Sequence, residues 1–209
     1  MIQFNEKEYL DFMDNWKKER KYEPFCRDGL LDVNKWVNSS RIMFLLKETY
    51  GDFYEIHGNG ACGPEGGSNR FWRNMRMYTY IIDEMVNGRK PEFNKALEIK
   101  EEPNTDIAYV NIKKLVGNNK KSDDNEIANF AKLDKEYLLR QIQLISPKII
   151  VCTGTFGFCK WIFDDIKPIS HNLSKTNDIL LLGYYHLSYV LSYEEEFDNI
   201  IKIMRDHLS

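Results

Sequence analysis

The sequence has no segment that would place the protein in a membrane. No apolar run approaches the roughly 20 residues that a membrane-spanning helix requires. The first residues, from Met1 to Glu6, have neither the basic start nor the apolar core of a signal peptide. We therefore expect a cytoplasmic protein with no membrane partner.

Cysteine is scarce, and positive charge is not in excess. The four cysteines form no Cys-x-x-Cys pair; they are Cys26, Cys62, Cys152 and Cys159. This spacing favours reduced, mostly buried thiols over a disulfide framework or a zinc site, so no metal and no cofactor is predicted. Because the net charge is −3, binding to a nucleic acid would depend on a local basic patch.

Four apolar runs, each followed by polar residues, organise the chain, which at 209 residues is long enough for one large domain. They cover 41–47, 107–112, 147–154 and 179–185. Continuous apolar runs of this length predict strands that are buried on both faces. Apolar residues at helical spacing predict helices over 6–21, 70–87, 126–145, 156–166 and 193–207.

This alternation of strands and helices predicts an α/β fold with three α/β/α layers and a central four-stranded parallel sheet. We expect one domain over 1–209, with residues 1–40 as an N-terminal helical cover. The segment 48–68 is a long connection rich in small residues, and loops of that length inside a compact domain are often functional.

Polar side chains follow three of the four predicted strands. Because the carboxyl ends of parallel strands meet at one edge of a sheet, we expect these side chains to converge on one crevice. A carboxylate can activate water, an imidazole can hydrogen-bond to a developing anion, and an amide can read a donor or acceptor edge. The residues are, in chain order, Glu48, Thr49, Asn111, Lys113, His186 and Ser188.

Each of these residues also has a purely structural interpretation. Glu48 could instead cap a turn or lie on the surface. A single histidine is more often structural than catalytic, but the position of His186 after a predicted buried strand, with Ser188 two residues on, favours a functional role. Aromatic side chains at helical spacing, such as Trp72, are more often part of a core than of a stacking platform.

The motifs resemble, in order and spacing, those of the uracil-DNA glycosylase superfamily. The resemblance covers about 41–208, and the segment 69–72 (Asn-Arg-Phe-Trp) is similar to one in the mismatch-specific branch. Four segments carry it: 47–51 (Lys-Glu-Thr-Tyr-Gly) for a first-strand Gly-x-x-Pro-Gly motif, Asn111 for a second-strand asparagine, 147–154 for a third strand, and 186–188 (His-Leu-Ser) for a His-Pro-Ser loop.

The resemblance implies an enzyme that flips a nucleotide out of DNA and hydrolyses the bond between base and sugar. Glu48 or Thr49 would hold the water, and Glu48 is preferred because only a carboxylate also offsets a cationic sugar. His186 would hydrogen-bond to the departing base, and Asn111 would pair with the edge of the base.

The same resemblance implies further contacts to substrate and DNA. Tyr50 and Gly51 would line the base pocket, and one ring among Phe53, Tyr54 and Trp72 would stack on the base. The phosphate and charge contacts would come from the glycine-rich backbone of 48–68 and from Ser188, Lys113, Lys114, Lys120 and Lys121.

Four positions depart from the family pattern, and they leave the substrate open. Lys47 replaces a glycine, Tyr50 and Leu187 replace prolines, and Thr49 stands where the most familiar uracil enzymes have an aspartate. No iron–sulfur cluster is expected, because Cys26 has no partner beside it in the N-terminal region. The base is a uracil, a mismatched base or a modified pyrimidine, the last suiting an antiviral enzyme directed at hypermodified cytosine in phage DNA. A DNA-binding module that has lost the chemistry, and a hydrolase of free nucleosides or nucleotides, are the other function classes.

Overall fold

The structure is a computed structural model, which describes residues 4–49, 70–99, 106–117 and 121–208. Within these residues the helices are α1 (Glu6–Arg20), α2 (Val33–Asn38), α3 (Arg70–Val86), α4 (Phe93–Ile99), α5 (Asp124–Leu133), α6 (Lys135–Ile145), α7 (Cys159–Ile162) and α8 (Tyr193–Leu208). The strands are β1 (Gly29–Leu30), β2 (Ile42–Leu46), β3 (Ala108–Asn111), β4 (Ile149–Thr153), β5 (Lys167–Ser170), β6 (Leu173–Thr176) and β7 (Ile179–Tyr184).

The α/β class is confirmed, but the predicted four-stranded sheet is wrong in its number of strands. The described strands form one seven-stranded sheet in the order β1-β3-β2-β4-β7-β6-β5. The neighbours β3, β2, β4 and β7 are parallel, and they contain the four predicted strands. The three additional strands, β1, β6 and β5, pair antiparallel at the two edges of the sheet.

Helices pack on both faces of the sheet because the central strands are buried on both faces, and β2 is apolar at every position. Along β2, Ile42, Phe44 and Leu46 face a cluster that includes residues of α3 and α8. The alternate residues, Met43 and Leu45, face a second cluster built with α1, α5 and α6. This alternation follows from the two-residue period of a strand.

The N-terminal 1–40 region is more than the predicted helical cover. It contributes α1 and α2, but β1 also joins the sheet, where Gly29 pairs with Tyr109 of β3. A strand of two residues carries too little pattern to be found from the sequence.

The predicted helix over 126–145 is two helices, α5 and α6, that meet at Asp134. The Asp134 carboxylate points into the protein, where it lies 2.7 Å from Arg20 Nε and accepts a hydrogen bond of 2.9 Å from the Tyr22 hydroxyl. The predicted helix over 156–166 is also shorter, because a 3-10 turn at Phe156–Phe158 precedes α7.

The strand order places a topological switch point at β2. The chain runs from β2 to β3 on one side through α3 and α4, and it then returns through α5 and α6 to β4 on the other side of β2. In open α/β sheets, ligands bind outside the carboxyl ends of the strands at such a reversal. The polar residues that follow Leu46 lie at this point.

Candidate functional site

A cavity of about 780 Å³ opens at the carboxyl edge of the sheet. It brings together three residues that the sequence predicts as functional: Glu48, His186 and Ser188. The other described lining residues are Leu46, Lys47, Phe71, Lys121, Ser122, Asp123 and Asp124. The convergence expected for the end of the first and fourth predicted strands is therefore observed.

Glu48 follows β2 and is held by a lysine. Its side chain is 3% exposed, and its Oε2 accepts a hydrogen bond of 2.8 Å from Lys113 Nζ. Lys113 Nζ also lies 2.9 Å from Glu126 Oε1 on α5. Burial acts to lower the pKa of Lys113, but its hydrogen bonds and ion pairs with both carboxylates raise that pKa above its ordinary value. Lys113 is therefore a fixed positive charge beside Glu48.

Burial contradicts the prediction that Lys113 and Lys114 contact DNA phosphates. The Lys113 side chain is 7% exposed and bound by two carboxylates. The Lys114 side chain is 0% exposed, and its Nζ lies 2.6 Å from Oδ1 of Asp28, which is also fully buried. Neither ammonium group can reach a phosphate backbone in this structure. Among the described residues, Lys121 is the predicted basic residue that lines the cavity.

His186 follows β7, and the backbone of the next residues fixes its imidazole. Its Nδ1 accepts a hydrogen bond of 3.2 Å from the Ser188 N–H, so the neutral ring carries its proton on Nε2. Partial burial, followed by the charge of Lys47, lowers the pKa of His186 below its ordinary value of 6.5. At neutral pH His186 is therefore an uncharged ring with one N–H to donate.

The turn after β4 packs against His186, a role that the sequence did not reveal. Gly154 has a left-handed φ of +70°, and its N–H donates to the Tyr184 carbonyl at 2.8 Å. A Cβ at this glycine would lie 3.5 Å from the His186 Cβ. The hydroxyl of Thr155 donates to the Leu45 carbonyl at 2.7 Å and so ties the turn to β2.

Asn111 is buried in a polar cluster and is not among the described residues that line the cavity. Its amide Nδ2 donates to Asp28 Oδ2 at 3.0 Å and contacts Cys26 Sγ at 3.7 Å. Asp28 also accepts hydrogen bonds from Lys114 Nζ at 2.6 Å and Gln141 Nε2 at 2.8 Å. The amide nitrogen of Asn111 is thus already hydrogen-bonded, while its buried Oδ1 has no hydrogen-bond partner among the described residues.

Trp72 lies against the core. Its ring is T-shaped to Phe71 at 5.0 Å and lies 6.2 Å from the ring of Tyr109, beside the cluster on the α3 face. It is Phe71, also in the segment that resembles the mismatch-specific branch, that lines the cavity and places its ring 6.0 Å from His186.

Several predicted substrate contacts fall outside the described residues. These are Tyr50, Gly51, Phe53, Tyr54 and Lys120. Thr49 is described, and its carbonyl accepts a hydrogen bond of 2.8 Å from the Gly117 N–H.

The described part of the chain carries neither a metal-binding cluster nor a membrane-spanning helix. It contains no group of three or more His, Cys, Asp or Glu side chains placed to hold a metal ion. None of its helices combines the length and the apolar character that crossing a membrane requires. Its three cysteines are buried free thiols; they are Cys26, Cys152 and Cys159.

Comparison with known proteins adds no relative to this picture. The likeness to the uracil-DNA glycosylase superfamily therefore stays a prediction from the order and spacing of motifs. No family model matches the chain, and neither does any curated protein.

Proposed function

We propose that the protein is a cytoplasmic DNA glycosylase, a divergent relative of the uracil-DNA glycosylases, that hydrolyses the N-glycosidic bond of a flipped-out uracil-like or modified pyrimidine. The observation that carries this proposal is that Glu48 and His186 line one cavity at the switch point of the sheet. The cavity volume of about 780 Å³ lies within the roughly 300–1,000 Å³ typical of small-molecule sites.

In the proposed reaction the C1′–N1 bond breaks and its electron pair leaves with the base. The Glu48 carboxylate orients the attacking water and offsets the positive charge that develops on the sugar. Water adds its hydroxyl to C1′, and its remaining proton passes through Glu48 to solvent. The base anion then takes a proton from solvent, which completes the balance of free base and sugar hydroxyl.

A neutral His186 suits the other half of this reaction. Its Nε2–H can donate to the pyrimidine oxygen on which negative charge develops, without giving up the proton. The Lys47 charge, which contributes to the lowered pKa of His186, also favours an anion in the cavity. Lys47 is itself balanced by Asp124, whose Oδ1 lies 2.6 Å from Lys47 Nζ.

The base contact predicted for Asn111 requires its buried Oδ1 to be uncovered, because Asn111 is not among the described residues that line the cavity. Its neighbour in the sheet is Leu46, a lining residue of the cavity. Because Asp28 holds the amide nitrogen, only the acceptor Oδ1 remains to read a base. That acceptor is complementary to the N3–H of uracil or to the exocyclic amine of a cytosine derivative.

The test is base release from oligonucleotides that contain a single uracil, a mismatched base or a hypermodified cytosine, scored by strand cleavage after alkali. We expect Glu48→Gln and His186→Ala to lower the rate by about 10²-fold or more, with DNA affinity retained. Glu194→Gln and His171→Ala, two exposed residues elsewhere, are the matched controls.

The outcomes separate the function classes. Wild-type protein that binds DNA but releases none of these bases would be a binding module, and the proposal would fail. Release of a free base from nucleosides, with no action on DNA, would indicate a hydrolase of small molecules. Release from DNA at an equal rate in all four variants would remove Glu48 and His186 from the chemistry.

A further inference from the structure

The loop that follows His186 is held by side chains from α3. Asn74 Nδ2 donates to the Leu187 carbonyl at 2.9 Å, and Arg70 Nε donates to the Tyr189 carbonyl at 3.0 Å. The Arg70 Nη2 donates to a third carbonyl, that of Leu191. Three of the five backbone carbonyls over 187–191 are thus bound by two residues that lie one helical turn apart.

A buried carboxylate on α8 fixes those two donors. Glu196 Oε1 accepts from Arg70 Nη2 at 3.0 Å and from Asn74 Nδ2 at 3.1 Å. Asn74 and Glu196 are buried, and the guanidinium of Arg70 lies 5.0 Å from the ring centre of Tyr193. Polar groups are costly to bury, so a buried carboxylate that binds two side chains of α3 indicates a specific structural task.

The clamped loop in turn fixes His186. The Tyr189 N–H donates to the His186 carbonyl at 2.7 Å, and the Ser188 N–H donates to its Nδ1 at 3.2 Å. Leu187 is fully buried, and Ser192 and Glu195 form a reciprocal cap that starts α8 immediately after the loop. The loop is therefore anchored at Leu187, at the carbonyls of Tyr189 and Leu191, and at the start of α8.

We propose that Arg70, Asn74 and Glu196 are positioning residues that hold this loop and thereby set the ring orientation and tautomer of His186. None of the three is among the described lining residues of the cavity, so they act through the loop. The effect of these residues on the orientation of His186 does not depend on the proposed function, whereas their effect on catalysis rests on it.

The test compares the wild type with Asn74→Ala by ¹H–¹⁵N NMR of the imidazole, with the His186 signals assigned from their loss in His186→Gln. In the wild type we expect the Nε2–H tautomer. In Asn74→Ala the Leu187 carbonyl loses its donor, and we expect a mixture of tautomers and a titration midpoint closer to 6.5. For base release we expect kcat to fall at least tenfold while KM changes less than twofold.

Two further variants keep the test decisive. Arg70→Lys retains a charge for Glu196 but places all its donors on one nitrogen, whereas Arg70 binds the Tyr189 and Leu191 carbonyls from Nε and Nη2. It should therefore shift the same signals if Asn74→Ala does not fold. Asn87→Ala is the control. Asn87 is 13 residues along the chain from Asn74, roughly 20 Å along the helix direction, so its loss should leave the imidazole signals of His186 unchanged.

The readouts separate this inference from the proposed function. Unchanged imidazole signals in folded Asn74→Ala and Arg70→Lys would overturn the positioning role, whatever the activity on DNA. Shifted signals in a protein that releases no base would support the positioning role and count against the glycosylase.

Discussion

At the scale of single residues, the pairing of Glu48 with Lys113 decides how this edge of the sheet can act. A buried carboxylate is costly unless it is paired, and the same holds for a buried ammonium. Here each side chain offsets the cost of burying the other, and Lys113 also pairs with Glu126, which is half-exposed. The two carboxylates and one ammonium group together carry a formal charge of −1 at this edge of the sheet.

The charge of Lys47 gives a pH-dependent prediction for His186. Burial is the larger cause of its lowered pKa and remains in Lys47→Met, whereas the charge contribution is lost. We expect the pKa to rise but to stay below 6.5, as followed by NMR titration. A change of the same size in Lys121→Met, the other lysine at the cavity, would contradict this assignment.

The same shift has a signed effect on stability. The unfolded chain binds a proton at His186 more readily than the folded protein does, so this residue lowers the free energy of unfolding as the pH falls below 6.5. Lys47→Met should lessen that acid-dependent loss, measured by urea unfolding from neutral pH to about pH 5.

Some of these residues could be predicted from the sequence and others could not, for a physical reason. Glu48 and His186 each follow a long apolar run, and strand ends converge in a parallel sheet. Lys114 looks like a surface lysine because its partner, Asp28, lies 86 positions earlier in the chain. A contact between residues so far apart in the chain cannot be predicted from the residues around either one.

At the scale of elements, Asp134 is the joint between α5, α6 and the end of α1. Its buried carboxylate is bound by Arg20 and Tyr22. Asp134→Ala removes the buried acceptor of the Tyr22 hydroxyl and the partner of Arg20, whose side chain is 29% exposed. It should lower the free energy of unfolding by about 2 kcal/mol, seen as a lower urea midpoint at unchanged slope. Asp164→Ala removes the exposed partner of Lys135 on α6 and should cost less than about 1 kcal/mol. Equal losses would show that Asp134 has no special role.

The sequence predicts elements well where one apolar pattern decides them. The predictions over 70–87 and 193–207 agree closely with α3 and α8, whose apolar faces are buried against the sheet. The hairpin of β5 and β6 was missed because most of β5 is exposed and shows no alternation. The break at Asp134 was missed because the apolar spacing continues through it.

At the scale of the whole molecule, one buried polar cluster joins the N-terminal region to the sheet. Asp28 precedes β1. Its carboxylate binds Asn111, the last residue of β3, Lys114, which follows β3, and Gln141 on α6. Its backbone carbonyl accepts a hydrogen bond from the hydroxyl of Tyr9 on α1. The cluster therefore connects α1 to the end of β3 and to α6, the second helix between β3 and β4.

This cluster yields a prediction about how the whole fold is held. Asp28→Ala leaves the Lys114 ammonium buried without a counter-charge and should cost about 3–5 kcal/mol of unfolding free energy. Lys114→Met should cost less, because the Asp28 carboxylate keeps N–H donors from Asn111 and Gln141. In the double variant the two losses should not add, since the residues are in direct contact.

The salt dependence of DNA binding distinguishes the structural role of Lys114 from the phosphate contact predicted for it from the sequence. The logarithm of the binding constant falls linearly with the logarithm of the salt concentration, and losing one phosphate contact makes that slope shallower by about one unit. Because the Lys114 side chain is fully buried, Lys114→Met should lower stability and leave that slope unchanged, as measured by fluorescence anisotropy over a range of salt concentrations. A slope reduced by one in a protein of unchanged stability would place Lys114 at the DNA, and the buried cluster could not then be the element that fastens the first helix to the sheet.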